Sequence, residues 1–271
     1  MSTAFVLGGG GNLGAVQVGM LRALLEHDIT PDAVFGCSVG ALNGAALCQE
    51  PTLANVERLV ELWQNLQGKD VLPTGWFSTA VQFARKGEAL HTLGPLREVV
   101  ESFLTALWFD DLQLHFECVV TDVERAAEVW LDHGSLVDAV LASSAIPSIY
   151  PSVVIDGVRY RDGAIVNDVP ISRAVDYGAT MIYVLYVGSF DRPRREARRP
   201  LDVALEAYWI ARRHRFTRDL NSLPPDVEAV VLPTGAPPNL PFNDFSRSEE
   251  LMDNAYQAST VALDEVVARE R

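Results

Sequence analysis

The sequence predicts an α/β fold built on a parallel sheet, and two patterns carry that expectation. A short apolar strand, a glycine-rich turn and a helix are followed at once by a second strand, a sharp turn and a second helix. This alternation builds parallel sheets. Far downstream, Met181–Val187 is an unbroken apolar run, as expected of a strand covered on both faces.

The elements follow in order. Thr3–Leu7 is the first strand and Gly8–Gly14 the turn. Ala15–Glu26 reads as a helix with Val16, Met20, Ala23 and Leu24 on one face. Ala33–Phe35 is the second strand, and Val39–Cys48 a small-residue helix that ends before Pro51. Thr52–Leu66 and Pro95–Leu107 are helices, separated by the irregular stretch Val71–Gly87 with Trp76, Phe77 and Phe83. Leu114–Thr121 and Glu128–Leu131 read as strands and Leu136–Ser144 as a short helix. Asp156-Gly157 joins Val153–Ile155 to Val158–Tyr160 as a hairpin, because Asp-Gly suits a type I′ turn. Leu201–Leu220 is a helix, Val227–Leu232 the last strand and Arg247–Arg269 the last helix. Neither the arginine-rich Asp191–Arg199 nor the proline-rich loop from Pro233 to Pro241 looks like a boundary between two cores. The expectation is therefore one domain over residues 1–271, with its motifs between about 3 and 188 and residues 200–271 packed on the same unit.

Composition narrows the function. The chain has 271 residues, 48% of them hydrophobic and 21% charged, so it can bury a core without disulfides or a structural metal. A formal charge of −14 argues against nucleic acid as a partner. Cys37, Cys48 and Cys118 form no metal-ligand spacing and suit a reducing compartment. With no signal-peptide pattern and no apolar run of membrane-spanning length, the expectation is a cytoplasmic protein. No metal or other cofactor is implied, and no signal of oligomeric state is present.

Two motifs carry chemistry. Gly9-Gly10-Gly11-Asn12-Leu13-Gly14 fits the dinucleotide pattern GxGxxG. Its physics is more general, since tight glycine turns at a helix start present N–H groups to negative charge. That charge can be a pyrophosphate or the oxyanion of acyl transfer. Gly36-Cys37-Ser38-Val39-Gly40 is a GxSxG at a strand-to-helix junction, where a nucleophile elbow would expose the Ser38 hydroxyl. In such an elbow Cys37 is not the exposed residue. The serine needs a base, and among His27, His91, His115, His133 and His214 only His214 lies late, within an arginine run. A carboxylate can serve instead. The hairpin turn accounts for Asp156 but not for Asp162, which follows the return strand in a loop. A nicotinamide or flavin enzyme would need an acidic residue ending the second strand, where Gly36-Cys37-Ser38 stands.

The order of these motifs resembles the patatin-like phospholipases, and the chain is identified as a bacterial-type member. Supporting stretches are Ala142-Ser143-Ser144-Ala145-Ile146-Pro147 with Tyr150-Pro151, and Asp162-Gly163-Ala164 with Asn167 and Pro170. The resemblance implies a three-layer fold and lipid acyl-ester hydrolysis without histidine. Ser38 would be the nucleophile, Asp162 its base, and Gly9, Gly10, Gly11 and Gly14 the oxyanion loop. Gly36, Gly40, Gly163 and Ala164 complete the motifs. Leu13 departs from the family, which usually has Arg or Lys there, and leaves a non-catalytic lipid-binding or scaffold protein as the alternative. Trp76, Phe77 and Phe83 are candidates for a flap over an acyl groove. Arg192, Arg194, Arg195, Arg198 and Arg199, with Arg212, Arg213, Arg215 and Arg218, are candidates for peripheral contact with an anionic membrane.

Overall fold

The computed structural model describes residues 2–71, 89, 91–188, 200–235, 240 and 244–270. Eight strands form one sheet: β1 (Thr3–Leu7), β2 (Ala33–Gly36), β3 (His115–Asp122), β4 (Ala127–Leu131), β5 (Val153–Ile155), β6 (Val158–Asp162), β7 (Met181–Leu185) and β8 (Glu228–Val231). Their order is β5-β6-β3-β2-β1-β7-β8, with β4 paired to β3 outside this path. The run from β3 through β2, β1 and β7 to β8 is parallel, while β4 and β6 join β3 antiparallel. The chain leaves β1 for β2 on one side and returns to β7 on the other. The glycine turn after β1 thus lies at the crevice where open α/β sheets bind ligands.

The principal helices are α1 (Gly14–Glu26), α2 (Val39–Gln49), α3 (Leu53–Asn65), α4 (Gly68–Val71), α5 (Gly94–Phe103), α6 (Leu136–Ser143), α7 (Ile171–Tyr177), α8 (Pro200–Asn221) and α9 (Ser248–Glu270). Side chains alternate across β1. Phe5 and Leu7 join the large core beneath α1, α2, α3, α5, α6 and α9, while Ala4 and Val6 join a second core beneath α7 and α8. This is the expected three-layer arrangement. Among the described residues, no helix is long and apolar enough to cross a membrane.

The structure adjusts several boundaries. β1 begins and ends where the sequence places it, and the Asp156-Gly157 hairpin has φ of 50° and 81° at its two central residues, as a type I′ turn requires. The expected one-sided α1 is instead buried all round except at Arg22 and Glu26, because α2, α3 and α9 enclose it. The helix expected to reach Leu107 stops at Phe103, because Leu104 turns extended. α7 is an element that the sequence reading did not contain. Val71–Gly87, with Trp76, Phe77 and Phe83, lies outside the described residues apart from Val71, and so do Arg192, Arg194, Arg195, Arg198 and Arg199.

α1 and α9 touch through main chain. A Cβ on Gly19 would fall 2.1 Å from the Met252 carbonyl oxygen, so only glycine lets the helices approach this closely. Gly19→Ala is expected to destabilise the protein by about 2–3 kcal/mol in urea denaturation, because overpacking against backbone outweighs the gain in helix propensity of about 1 kcal/mol.

Candidate active site

Ser38 stands on the sharp turn between the carboxyl end of β2 and α2, with φ 54° and ψ −122°. A side-chain-bearing residue holds such a conformation only where its surroundings enforce it. Here the chain is too crowded to relax. A Cβ on Gly36 would meet the Gly40 carbonyl oxygen at 2.6 Å, and one on Gly40 would meet the Leu7 carbonyl oxygen at 2.2 Å. Ser38 occupies the N-cap position of α2, yet its hydroxyl caps nothing. Its N–H donates to Ser143 Oγ at 2.9 Å, and the Ser143 hydroxyl donates to the Val119 carbonyl at 2.8 Å.

The sheet register brings Asp162 to this turn. β2 and β6 follow one another along the same edge of β3, with Gly36 paired to Cys118 and Asp162 to Val120. Asp162 is therefore the last residue of β6, not the loop residue expected from the sequence. The strand continues two residues past Tyr160 because β3 offers it partners as far as Val120. A Cβ on Gly163 would lie 2.3 Å from the Val119 carbonyl oxygen, so the chain hugs β3 as it leaves the sheet.

Asp162 is 3% exposed. Its Oδ1 accepts the Ala164 N–H at 2.8 Å, and the Ser38 hydroxyl is among the groups close enough to act on the carboxyl. Burial pushes this carboxyl up to about 6, against the Ala164 amide, the Arg212 charge and the Ser38 hydroxyl, which all pull it down. The Cys37 thiol is buried beside it, and burial together with the Asp162 charge pushes that thiol well up, so it is no thiolate. His214 is exposed on α8, and no histidine is among the groups that act on Asp162.

The four glycines of the first loop do different things. The Gly9 N–H is committed to the Asp168 carbonyl at 3.1 Å, and a Cβ there would lie 3.3 Å from Ser38 Cβ. The Gly14 N–H donates to the Gly11 carbonyl. A Cβ on Gly14 would fall 2.2 Å from Val39 Cγ2, so this glycine lets α1 approach α2. Among the described residues, the amides of Gly10, Gly11 and Val39 find no main-chain acceptor. They are the amides available to a ligand oxygen.

Buried side chains that the sequence reading missed hold this loop. Gln17 Nε2 donates to the carbonyls of Gly8 at 2.7 Å and Leu185 at 3.2 Å. Asn43 Nδ2 donates to the Gly14 carbonyl and to Gln17 Oε1, and its own Oδ1 accepts from Trp63 Nε1 at 3.0 Å. Asp168, which the sequence reading missed, and Arg212, which it read as a membrane contact, form an ion pair against Gly9. The polar residue types on otherwise apolar helices were the only available signal.

Ser38 opens on an apolar cavity lined by Val39, Leu42, Leu96, Val99, Val100 and Ile146. A second cleft, on the α8 side of the loop, is bounded by Gly9, Gly10, Asp168, Trp209, Arg212 and Arg213. Among the described residues, no group of His, Cys, Asp or Glu side chains could hold a metal ion. Much of the arginine run on α8 faces carboxylates. Arg212 pairs with Asp168, Arg215 with Glu128 and Asp219, and Arg218 with Asp219.

A serine on a strained strand-to-helix turn, with a buried carboxylate at the end of a neighbouring strand, defines an elbow-type site on an α/β sheet. The family model for patatin-like phospholipases matches residues 5–175, and the chain belongs to that family. It is 29% identical over 192 residues to neuropathy target esterase sws of Drosophila melanogaster, and 28% identical over 190 residues to patatin-like phospholipase domain-containing protein 7 of Rattus norvegicus. It is 26% identical over 198 residues to lysophospholipase nte1 of Aspergillus terreus. These matches cover 70%, 69% and 70% of this chain but only 13%, 14% and 12% of the relatives. The relatives are animal and fungal, so the expectation of a bacterial-type member finds no support in them. The crystal structure of VipD from Legionella pneumophila shares the fold, with a TM-score of 0.50 at 14% identity, over 97% of this chain and 67% of that one.

Two outcomes follow from the geometry. Ser143→Ala strands the Ser38 N–H and is expected to cost about 1–3 kcal/mol of stability, measured by chemical denaturation. Asp162→Asn is expected to stabilise the fold at about pH 8 by roughly 2–3 kcal/mol. The folded carboxyl is raised from 3.8 to about 6, so its stabilising contribution is full below 3.8 and is lost as the pH rises through about 6. Thermal melts across pH should show the gain vanish in acid.

Proposed function

We propose that this chain is a serine acyl-ester hydrolase acting on lipids, of the phospholipase or lysophospholipase type. Ser38 is the nucleophile and Asp162 its base. The observation that carries the reading is Ser38 on its strained turn, with the buried Asp162 carboxyl close enough to feel its hydroxyl and an apolar cavity beside it. The relatives' names, an esterase and a lysophospholipase, support the same chemistry. Residues 1–271 act as a single patatin-like domain, a reading supported by the packing of α9 on α1.

The reaction runs in two steps. Asp162 takes the Ser38 proton as Oγ attacks the ester carbonyl. The amides of Gly10 and Gly11, with that of Val39 beside them, bind the oxyanion. The carbonyl re-forms as the C–O bond to the alcohol breaks, and the proton held by Asp162 passes to the leaving oxygen. A water molecule, deprotonated by the same carboxylate, then attacks acyl-Ser38; the C–Oγ bond breaks, Asp162 returns the proton to Ser38 Oγ, and the fatty acid leaves. The cavity beside Ser38 takes the acyl chain, because its apolar lining makes burial of hydrocarbon favourable.

Covalent labelling with a fluorophosphonate, mapped by peptide mass, tests this reading. One adduct per chain is expected on Ser38, absent in Ser38→Ala and slowed at least about a hundredfold in Asp162→Asn. Because the base must be ionised, the labelling rate should fall below about pH 6. Folded protein with no adduct on Ser38 would favour a lipid-binding or scaffold role on the same fold.

A further inference from the structure

Beside Gly9 a buried carboxylate, Asp168, is paired with a cation, and a second buried carboxylate, Asp162, feels the charge of both. Asp162 is 3% exposed and Asp168 7%. Arg212 comes from α8, far along the chain, and its Nη2 binds Asp168 Oδ1. Gly9 is wedged between this ion pair and the serine. A Cβ on Gly9 would lie 2.7 Å from Asp168 Oδ1, 3.7 Å from Arg212 Nη2 and 3.3 Å from Ser38 Cβ. The Gly9 N–H donates to the Asp168 carbonyl, so the pair and the loop are one assembly. Tyr208, one turn before Arg212, places its ring 5.3 Å from the guanidinium carbon.

Among the described residues, the charged and titratable groups that act on Asp162 come from four segments. The β2–α2 turn contributes Cys37 and Ser38, and the turn after β6 contributes the Ala164 amide. The segment before α7 contributes Asp168, and α8 contributes Arg212 and Tyr208. Only Arg212 among them carries positive charge. Two carboxylates in one desolvated pocket oppose each other's ionisation, and an arginine, which keeps its proton, removes that opposition.

We infer that Arg212 is a positioning residue for the Ser38–Asp162 pair: by neutralising Asp168 it leaves Asp162 as the carboxylate that exchanges a proton with Ser38, and through Asp168 it pins Gly9 against the serine. The inference rests on the hydrolase reading above. It assigns a cation to the glycine loop, where position 13 is Leu, from a helix about 200 residues further along. The two partners act on Asp162 with opposite sign, since the Arg212 charge lowers its pKa and the Asp168 charge raises it.

The test is the rate of Ser38 labelling by a fluorophosphonate between about pH 4.5 and pH 9, in wild type, Arg212→Gln, Arg212→Lys and Asp168→Asn. Arg212→Gln should move the acid limb up by about one pH unit, and Asp168→Asn should move it down. Arg212→Lys, which keeps the charge, should return the limb toward its wild-type position. A merely structural ion pair would slow both Gln and Asn variants without separating their limbs. Wild-type labelling with superimposable limbs in all variants, or limbs shifted in the same direction, would overturn the inference alone. Folded wild type that takes no label would overturn the hydrolase reading and the inference with it. Should Arg212→Gln fail to fold, as judged by thermal melting, the opposite displacement of Asp168→Asn relative to Arg212→Lys decides the matter.

Discussion

A carboxylate without water is the condition around which this site is arranged. Asp162 is held at the end of a strand, inside the protein, where its charge is disfavoured. The structure surrounds it with compensation. One amide donates to it, the Ser38 hydroxyl and the Arg212 charge favour its ionised form, and that guanidinium is paired with a second buried acid. Each of these partners constrains another part of the fold. The Ala164 amide requires the chain to turn tightly at Gly163 against β3. The Ser38 hydroxyl requires a backbone conformation that L-residues rarely adopt. The guanidinium requires α8 to cover the far face of the sheet.

The glycine loop is built on the same logic of enforced proximity. Its shoulders, at Gly8 and Gly14, are tied by the Trp63–Asn43–Gln17 chain of hydrogen bonds. Such a network is valuable only when complete, since each member left unpaired in the interior is costly. The reward is a loop whose donors are backbone groups. They are insensitive to the side chain at position 13, where Leu13 stands.

Local features were legible in the sequence and distant pairings were not. The strands β1 and β2, the serine turn and the hairpin at Asp156-Gly157 announce themselves by period and by turn chemistry within a few residues. The resemblance supplied the three-layer arrangement and joined Ser38 to Asp162. The register along β3, which places them together physically, is a tertiary fact. α1 misled because amphipathic reading assumes a solvent face, whereas this helix has almost none. The arginines of α8 were legible only in part. A run of like charges reads as a solvated or membrane-facing surface, yet the 3.6-residue period turns Arg212 and Arg215 inward onto Asp168 and Glu128. Neither carboxylate is close enough in sequence to signal the pairing.

The contact between Gly19 and the main chain at Met252 and Tyr256 also orders assembly in time. It joins α1 to α9, far along the chain, so α1 leaves the ribosome long before its cover exists. Until α9 docks, the helix that carries the glycine loop at its head lacks one of its walls, and the loop lacks a fixed seat. Closing so long a span of chain is slow, and the intermediate exposes apolar surface meanwhile. A chain that has not yet made α9 therefore leaves the seat of the glycine loop unfinished, and the loop settles only when that helix docks.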